Sequence, residues 1–433
     1  MKSLLIGLIM GLLVAVSVYS QIVAKSDLAP AGTRRSWKQQ PGEFQRQWRR
    51  KVSLPGSFSA MRQNSWTSSP NAQSPKGKWP SLQAHLDALA KAADVQAANS
   101  SPNWVRQYGS GLAPGIDRAN AIAVDGAGNV YVTGGSSGSP FSADYFTIKY
   151  NTAGNQLWTA RYNGPSQGDD IATALAVDAA GNVYVTGFSY GAGTSGDYTT
   201  LKYNSSGVQQ WAARYNGPVN GPDLASSLAV DAAGNVYVTG ASFGAGAGFD
   251  YATVKYNSAG AQQWVARYNG PANLDDQASR IALSGAGNIY IAGQSENADM
   301  TFDYATIKYN AAGVQQWIAR YDGPANSNDE GAALAVDGAE NVYVTGGSES
   351  ASTSSDYATI KYNSAGTQQW VARYDGPDND SDAATALTLD GAGNVYVTGT
   401  SSGSGTGDDY ATIKYNTAGV EQWVARYNGP PRL

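Results

Sequence analysis

The chain has 433 residues with 51 Gly, 27 Tyr and 11 Trp, 15% charged residues and a formal net charge of −5. Average soluble domains hold about 7% Gly and about 25% charged residues, so this composition excludes long coiled coils, argues against disorder and suits short strands joined by tight turns. The absence of Cys and the presence of a single His, His85, exclude disulfides, thiolate chemistry, zinc centres and nearly all histidine-based acid–base catalysis.

Residues 1–20 carry one Lys, an apolar run from Leu4 to Val16, and Val18 and Ser20 in the small-residue positions ahead of Gln21. This is the pattern of a secretory signal peptide, and it predicts a periplasmic, cell-surface or extracellular location with no membrane span after signal removal. Residues 21–103 hold 12 Lys/Arg against 4 Asp/Glu, a net of +8. Their Gln-, Ser-, Asn- and Pro-rich stretches read as linker, and Leu82, Leu86, Leu89 and Ala93 after Pro80 predict one helix near 81–97. The basic segment reads as a solvated tail that offsets the acidic residues behind it, with an anchor on an acidic polymer or surface as the sharper alternative.

From residue 104 the composition reverses to 16 Lys/Arg against 30 Asp/Glu, a net of −14, and self-similarity takes over. Trp recurs at 104, 158, 211, 264, 317, 370 and 423, spaced by 54 once and by 53 five times. Each full unit predicts four strands. The first is ALAVD; a DxxGN turn leads to NVYVTG; a Gly/Ser-rich loop leads to DYATIKY; an NxxG turn leads to QQWVARY. β-branched and aromatic residues alternate with small or polar ones within these strands, while Asp or Asn opens each turn and Gly supplies the left-handed backbone. A four-stranded sheet cannot bury both faces alone, so radial repetition predicts an all-β fold, a β-propeller of four-stranded antiparallel blades over 104–433. The Ala-rich first strand is expected nearest the axis and the Trp strand at the rim. A sandwich does not account for six equal units, and a β-helix coil is much shorter than 53 residues. The strands are complete six times, which predicts six blades, with seven as the alternative count. One Trp strand, 104–108, is left over to cap an edge or close the ring.

The units DYATIKYN, QQWVARYNGP and ALAVDAAGNVYVTG resemble the SBBP-type β-propeller repeat of bacterial secreted and surface-associated proteins, with a strand pattern similar to NHL repeats. The resemblance implies the propeller and no particular reaction. Ser284 in place of the turn Asp, Ala292 in place of Thr, Glu340 in place of a turn Gly and Leu157 in place of Gln depart from the pattern, and the unit around Ser284 is expected to be the irregular blade.

Two carboxylate series repeat in register and are predicted to ring one end of the propeller, beside its longest loops. One comprises Asp117, Asp170, Asp223, Asp276, Asp329 and Asp382; the other comprises Asp144, Asp197, Asp250, Asp303, Asp356 and Asp409. An Asp in every copy reads first as a turn or inter-blade hydrogen-bonding group and second as a ligand for a cation or cationic partner. Asp378, Asp380 and Asp382 resemble the start of a calcium loop, although Ala383 and Leu389 stand where Gly and a bidentate acid are needed. Calcium is therefore the single cofactor considered, and no catalytic residue is assigned. The repeated Lys and Arg of the third and fourth strands are expected as cross-strand or cation–π partners of Tyr and Trp. An acidic domain repels nucleic acid. These features predict a secreted, non-catalytic binding scaffold presenting an acidic, loop-rich face to protein or carbohydrate. The alternative is a carboxylate-dependent polysaccharide hydrolase or lyase, which needs two acids in unlike environments.

Overall fold

The computed structural model describes residues 104–429 apart from 112–114, 140–141, 167, 247, 351–353 and 406. The signal segment, the basic extension and the helix expected near 81–97 lie outside the described residues. Every regular element among the described residues is a β-strand, and no helix there is long and apolar enough to cross a membrane. Six four-stranded antiparallel sheets follow one another with strands in chain order, which gives the six predicted blades. Blade 3 is representative: inner strand Asp223–Val230, second Val236–Phe243, third Phe249–Tyr256 and rim strand Gln262–Tyr268.

The first turn of each blade is held by its Asp. Asp231 Oδ1 accepts from the Ala233 and Asn235 amides, and its Oδ2 accepts from Asn235 Nδ2 at 2.8 Å and Tyr237 Oη at 3.2 Å. Burial would raise this carboxyl, but the Asn235, Tyr237 and Ala233 bonds outweigh it and hold the pKa below the usual range. One Asp thus ties the turn to the tyrosine that opens the next strand.

In blade 4 that Asp is Ser284, yet its strands keep the lengths of blade 3, so the irregular blade expected there is regular. The reason is Glu340, the other departure. From the corresponding turn of blade 5 it accepts from Ser284 Oγ at 2.6 Å and Asn288 Nδ2 at 2.8 Å on Oε1, and from Lys308 Nζ at 2.9 Å on Oε2. The Ser284 and Lys308 bonds lower its pKa to about 2. A carboxylate missing from one blade is supplied by the next. Ser284→Asp, although it restores the residue of the other blades, is expected to cost about 1 kcal/mol by setting two carboxylates together. Adding Glu340→Gly should remove that loss. A urea double-mutant cycle in which the two changes simply add would refute the pairing.

Blades adhere face to face. Between blades 3 and 4, Tyr237 and Tyr251 pack with Ile289, Ile291, Ala305, Ile307 and Tyr309, flanked by Trp264, and equivalent clusters fill four other junctions. Tyr251 is buried and donates its hydroxyl to Ala305 O of the next blade at 3.2 Å. The rim Trp of each of blades 1 to 5 covers the NxxG turn of the following blade. Trp211 Nε1 donates to Ser258 O at 3.1 Å, and Gly260, at φ +83°, lies so close that a Cβ there would stand 2.7 Å from the indole. Nearer the axis, polar side chains stitch consecutive inner strands: Asn120 to Ala172 O, Thr173 to Ala225 O, Ser226 to Ala278 O and Ser279 to Gly331 O, at 2.6–2.8 Å.

The junction from blade 6 back to blade 1 differs. Tyr410, Trp423 and Tyr427, counterparts of buried or half-buried residues, are 53%, 42% and 61% exposed. Among the described residues no apolar cluster joins these two blades. The left-over segment at 104–108 is not paired as a strand, but its Trp104 seats on blade 1 as the rim Trp residues of blades 1 to 5 seat on their successors. Trp104 Nε1 donates to Thr152 O at 3.1 Å, Arg106 Nε donates to Gly154 O at 2.8 Å, and the indole covers Gly154. Trp104 therefore occupies the seat that Trp423 would need for direct closure.

Candidate functional site

The strand registers place both carboxylate series in one row of each sheet. Asp223 pairs with Ser242, which pairs with Asp250, and the other blades repeat the row, from Asp117–Ser136–Asp144 to Asp382–Ser401–Asp409. The loops between second and third strands rise from the same end. The predicted ring of acids is thus assembled, but its members are engaged.

Asp170, Asp223, Asp276, Asp329 and Asp382 open their inner strands fully buried. Each accepts on Oδ2 from the Gly amide six residues earlier, as Asp170 does from Gly164 at 2.6 Å and Asp223 from Gly217 at 2.7 Å. Asp117 is exposed and holds Ser110 and Ser136 instead. Asp144, Asp197, Asp250, Asp303, Asp356 and Asp409 are ion-paired at 2.6–3.2 Å with Arg161, Arg214, Arg267, Arg320, Arg373 and Arg426. This refines the expectation for the arginines, which serve carboxylates first. Arg267 also donates to Ser242 Oγ and to Tyr215 Oη of the preceding blade. The lysines behave as expected, with Lys149 Nζ 4.9 Å from the Tyr131 ring centroid and Lys255 Nζ 5.0 Å from that of Tyr237.

The sequence-predicted calcium loop is not assembled. Asp378 and Asp380 are exposed, and Asp380 turns its Oδ1 onto the Ser381 amide. Asp382 converges instead with Asp356 and Asp375, and one blade earlier Asp329 converges with Asp303 and Asp322; in each trio one carboxylate oxygen per residue lies within 4.8 Å of the others. Asp322 and Asp375 were missed by sequence reasoning. Their signal is small: the tripeptide after the rim strand is NGP at 163, 216 and 269 but DGP at 322 and 375.

Burial, aided by the charge of neighbouring acids, raises Asp276 and Asp329 to about 6 against an ordinary 3.8. A raised folded-state pKa gives stability that is fully present below the ordinary value and lost as pH rises through about 6. The stability of the wild type relative to Asp329→Asn should accordingly increase as pH is lowered from about 7 to about 4.5 in chelator. Parallel pH profiles of the two proteins in urea would contradict this environment.

Near the axis one position breaks the six-fold equivalence. Arg280 lies in the inner strand of blade 4 where the others carry Ala121, Ala174, Ser227, Ala333 and Ala386. Its Nη1 donates to Ser279 O at 2.9 Å, no carboxylate pairs with it among the described residues, and burial holds its pKa below the usual value. Sequence periodicity did not flag it, because it belongs to no repeated series.

No curated protein matches the chain in sequence. Among solved structures, a polysaccharide lyase described as an ulvan lyase aligns at 11% identity over 70% of this chain and 82% of its own, with a TM-score of 0.44. A periplasmic gluconolactonase from Pseudomonas aeruginosa aligns at 12% identity over 69% and 95%, with a TM-score of 0.34. A calcium-binding protein, regucalcin, from Agrobacterium tumefaciens aligns at 11% identity over 65% and 82%, with a TM-score of 0.34. The SBBP family, described as a beta-propeller repeat, matches residues 103–142, and the chain folds the repeated unit into six four-stranded sheets, consistent with a propeller.

Proposed function

We propose that this chain is a secreted, non-catalytic β-propeller that binds protein or carbohydrate through the loop-rich end on which its carboxylates converge. The observation that carries the reading is the near-equivalence of those carboxylates. Each member of the third-strand series is held by its own Arg and each buried inner-strand Asp by a Gly amide, so the same arrangement of acids returns from blade to blade, where glycosidase-type chemistry requires one unique pair. What differs between blades is the loop above each row, for example Gly191–Ser195 against Asn297–Thr301, where Met300 is 77% exposed. Variable loops on a rigid repeated scaffold are the usual display for recognition.

The test is a glycan and protein array with the full chain. Binding that is lost when residues 297–301 are exchanged for the sequence of 191–195, with the fold retained by circular dichroism, supports the proposal. The second reading, a polysaccharide hydrolase or lyase, has Arg280 as its foothold, since a part-buried cation near the axis could hold an acidic sugar. New reducing ends or unsaturated uronates released from acidic polysaccharides, and abolished by Arg280→Ala, would replace the binding proposal with that one.

A further inference from the structure

We propose that Asn220 is a self-modifying site, at which the backbone nitrogen of Gly221 attacks the Asn220 side chain and converts it, with water, to Asp and isoaspartate. The sequence supplies the dipeptide, since Gly offers the least hindered backbone nitrogen to the side chain before it. Asn-Gly occurs at 163, 216, 220, 269 and 428, and the structure gives these pairs different environments.

Three of them are restrained. The Gly164, Gly217 and Gly270 amides donate to Oδ2 of Asp170, Asp223 and Asp276 at 2.5–2.7 Å. The nucleophile is the deprotonated amide, and removing its proton beside a buried carboxylate sets two negative charges together. Among the described residues no carboxylate takes the Gly221 amide, which donates to Val219 O in its own loop.

Asn220 is also activated. It is exposed, and its Oδ1 accepts from Asn216 Nδ2 at 2.8 Å. That donor polarises the Cγ–Oδ1 bond and meets the oxyanion that forms when Gly221 N adds, and a donor aimed at developing charge lowers a barrier. The equivalent positions of the next three loops are Asn273, Asn326 and Asn379, and none repeats the set. Asn269 donates to Asn273 at 2.5 Å, but Leu274 follows, and a side chain on the attacking residue hinders ring closure. Asn326 and Asn379 stand four residues after Asp322 and Asp375, which have no amide to donate, and precede Ser327 and Asp380. Packing holds Gly at 221, because a Cβ there would stand 2.8 Å from Phe243 Cβ. The fold thus retains the reactive pair.

Water is the co-reactant. Gly221 N gives its proton to solvent base and bonds to Asn220 Cγ. The Cγ–Nδ2 bond then breaks with its electron pair, and the nitrogen leaves protonated as ammonia, closing a succinimide. Water adds at Cγ and breaks the new bond to give Asp, or adds at the main-chain carbonyl carbon and breaks the original peptide bond to give isoaspartate; in both, Gly221 N regains its proton. Either product adds a negative charge to the loop leading into Asp223, at the end where the carboxylate rows lie, and isoaspartate also lengthens its backbone.

The full chain is incubated in mildly alkaline buffer, folded and in urea, and each Asn-Gly peptide is followed by mass spectrometry for exchange of NH₂ for OH and by isoaspartyl methyltransferase labelling. In the folded chain Asn220 should convert about fivefold faster than Asn428, which is exposed with no positioned donor among the described residues. Asn163, Asn216 and Asn269 should convert more slowly than either, and in urea the five rates should converge. Asn216→Asp, which places the residue native at 322 and 375, and Asn216→Ala should each slow Asn220 to the pace of Asn428 or below. Conversion of Asn220 no faster than that of Asn428, restrained pairs that keep pace with it, a ranking that persists in urea, or a rate at Asn220 that both Asn216 variants leave unaltered would each overturn the proposal.

Discussion

Gly240→Ala is expected to cost about 3 kcal/mol and to lower Tm by roughly 5–10 °C. Gly240 ends the VTG triplet of the second strand, where the pairing with the inner strand shifts register between Thr239 and Gly240. The bulge brings Leu224 O to 2.1 Å from where a Cβ would stand, with Ala225 Cα and Tyr198 Oη at 2.8 Å. Two of these atoms are backbone and the third is a buried hydroxyl bonded to Ala252 O, so none can yield as a flexible side chain would. Methyl insertion must spread the two strands nearest the axis, and the preceding blade is pushed as well. The same approach recurs at Gly134, Gly187, Gly293, Gly346 and Gly399, where the inner-strand carbonyl would stand 1.8–2.1 Å from the added carbon. Thermal denaturation of Gly240→Ala checks the argument. A Tm within a degree of the wild type would show that the bulge accommodates a side chain.

The second large effect is a contrast between two equivalent residues. Trp264→Ala should cost about 3–5 kcal/mol, the range for deleting a packed aromatic. It removes the indole that covers Gly313 and donates to Ala311 O at 3.3 Å. Trp423→Ala should cost about 1 kcal/mol or less, because Trp423 is 42% exposed and has no following blade beneath it. Urea unfolding of the two variants decides the state of the last junction. Equal losses would mean that blades 6 and 1 meet in solution, with Trp423 displacing Trp104 from Gly154.

These expectations also mark how far the sequence could be read. The fifty-three-residue period, the DxxGN and NxxG turns and the alternation within YATIKY specify four strands and two hairpins per unit. A blade is local chemistry: Asp231, Asn235 and Tyr237 lie within seven residues of one another. Both Asp series could be located and assigned to one end for the same reason, since strand register converts a sequence offset into a place in the sheet. The partners across junctions were hidden. Ser284 and Glu340 each stood out as a departure, yet their pairing depends on the contact of two turns 56 residues apart. Asp322 and Asp375 were not singled out at all, whereas Asp378 and Asp380 resembled ligands because they stand beside Asp382 in the chain.

Periodicity in the amino-acid order was enough to settle the all-β class and the residues each blade repeats, because those rest on contacts within a unit, while it left seven blades as an alternative to the six that the structure shows. Which carboxylates converge, which departures compensate one another, where a lone Arg280 enters the axial region, and that Trp104 takes the seat Trp423 would need were settled by the assembled blades. A repeated sequence states what every unit contains. It does not state which unit's side chain meets which, because that follows from the angle and spacing at which neighbouring sheets pack, and those arise from tyrosines, tryptophans and glycines of two units acting together.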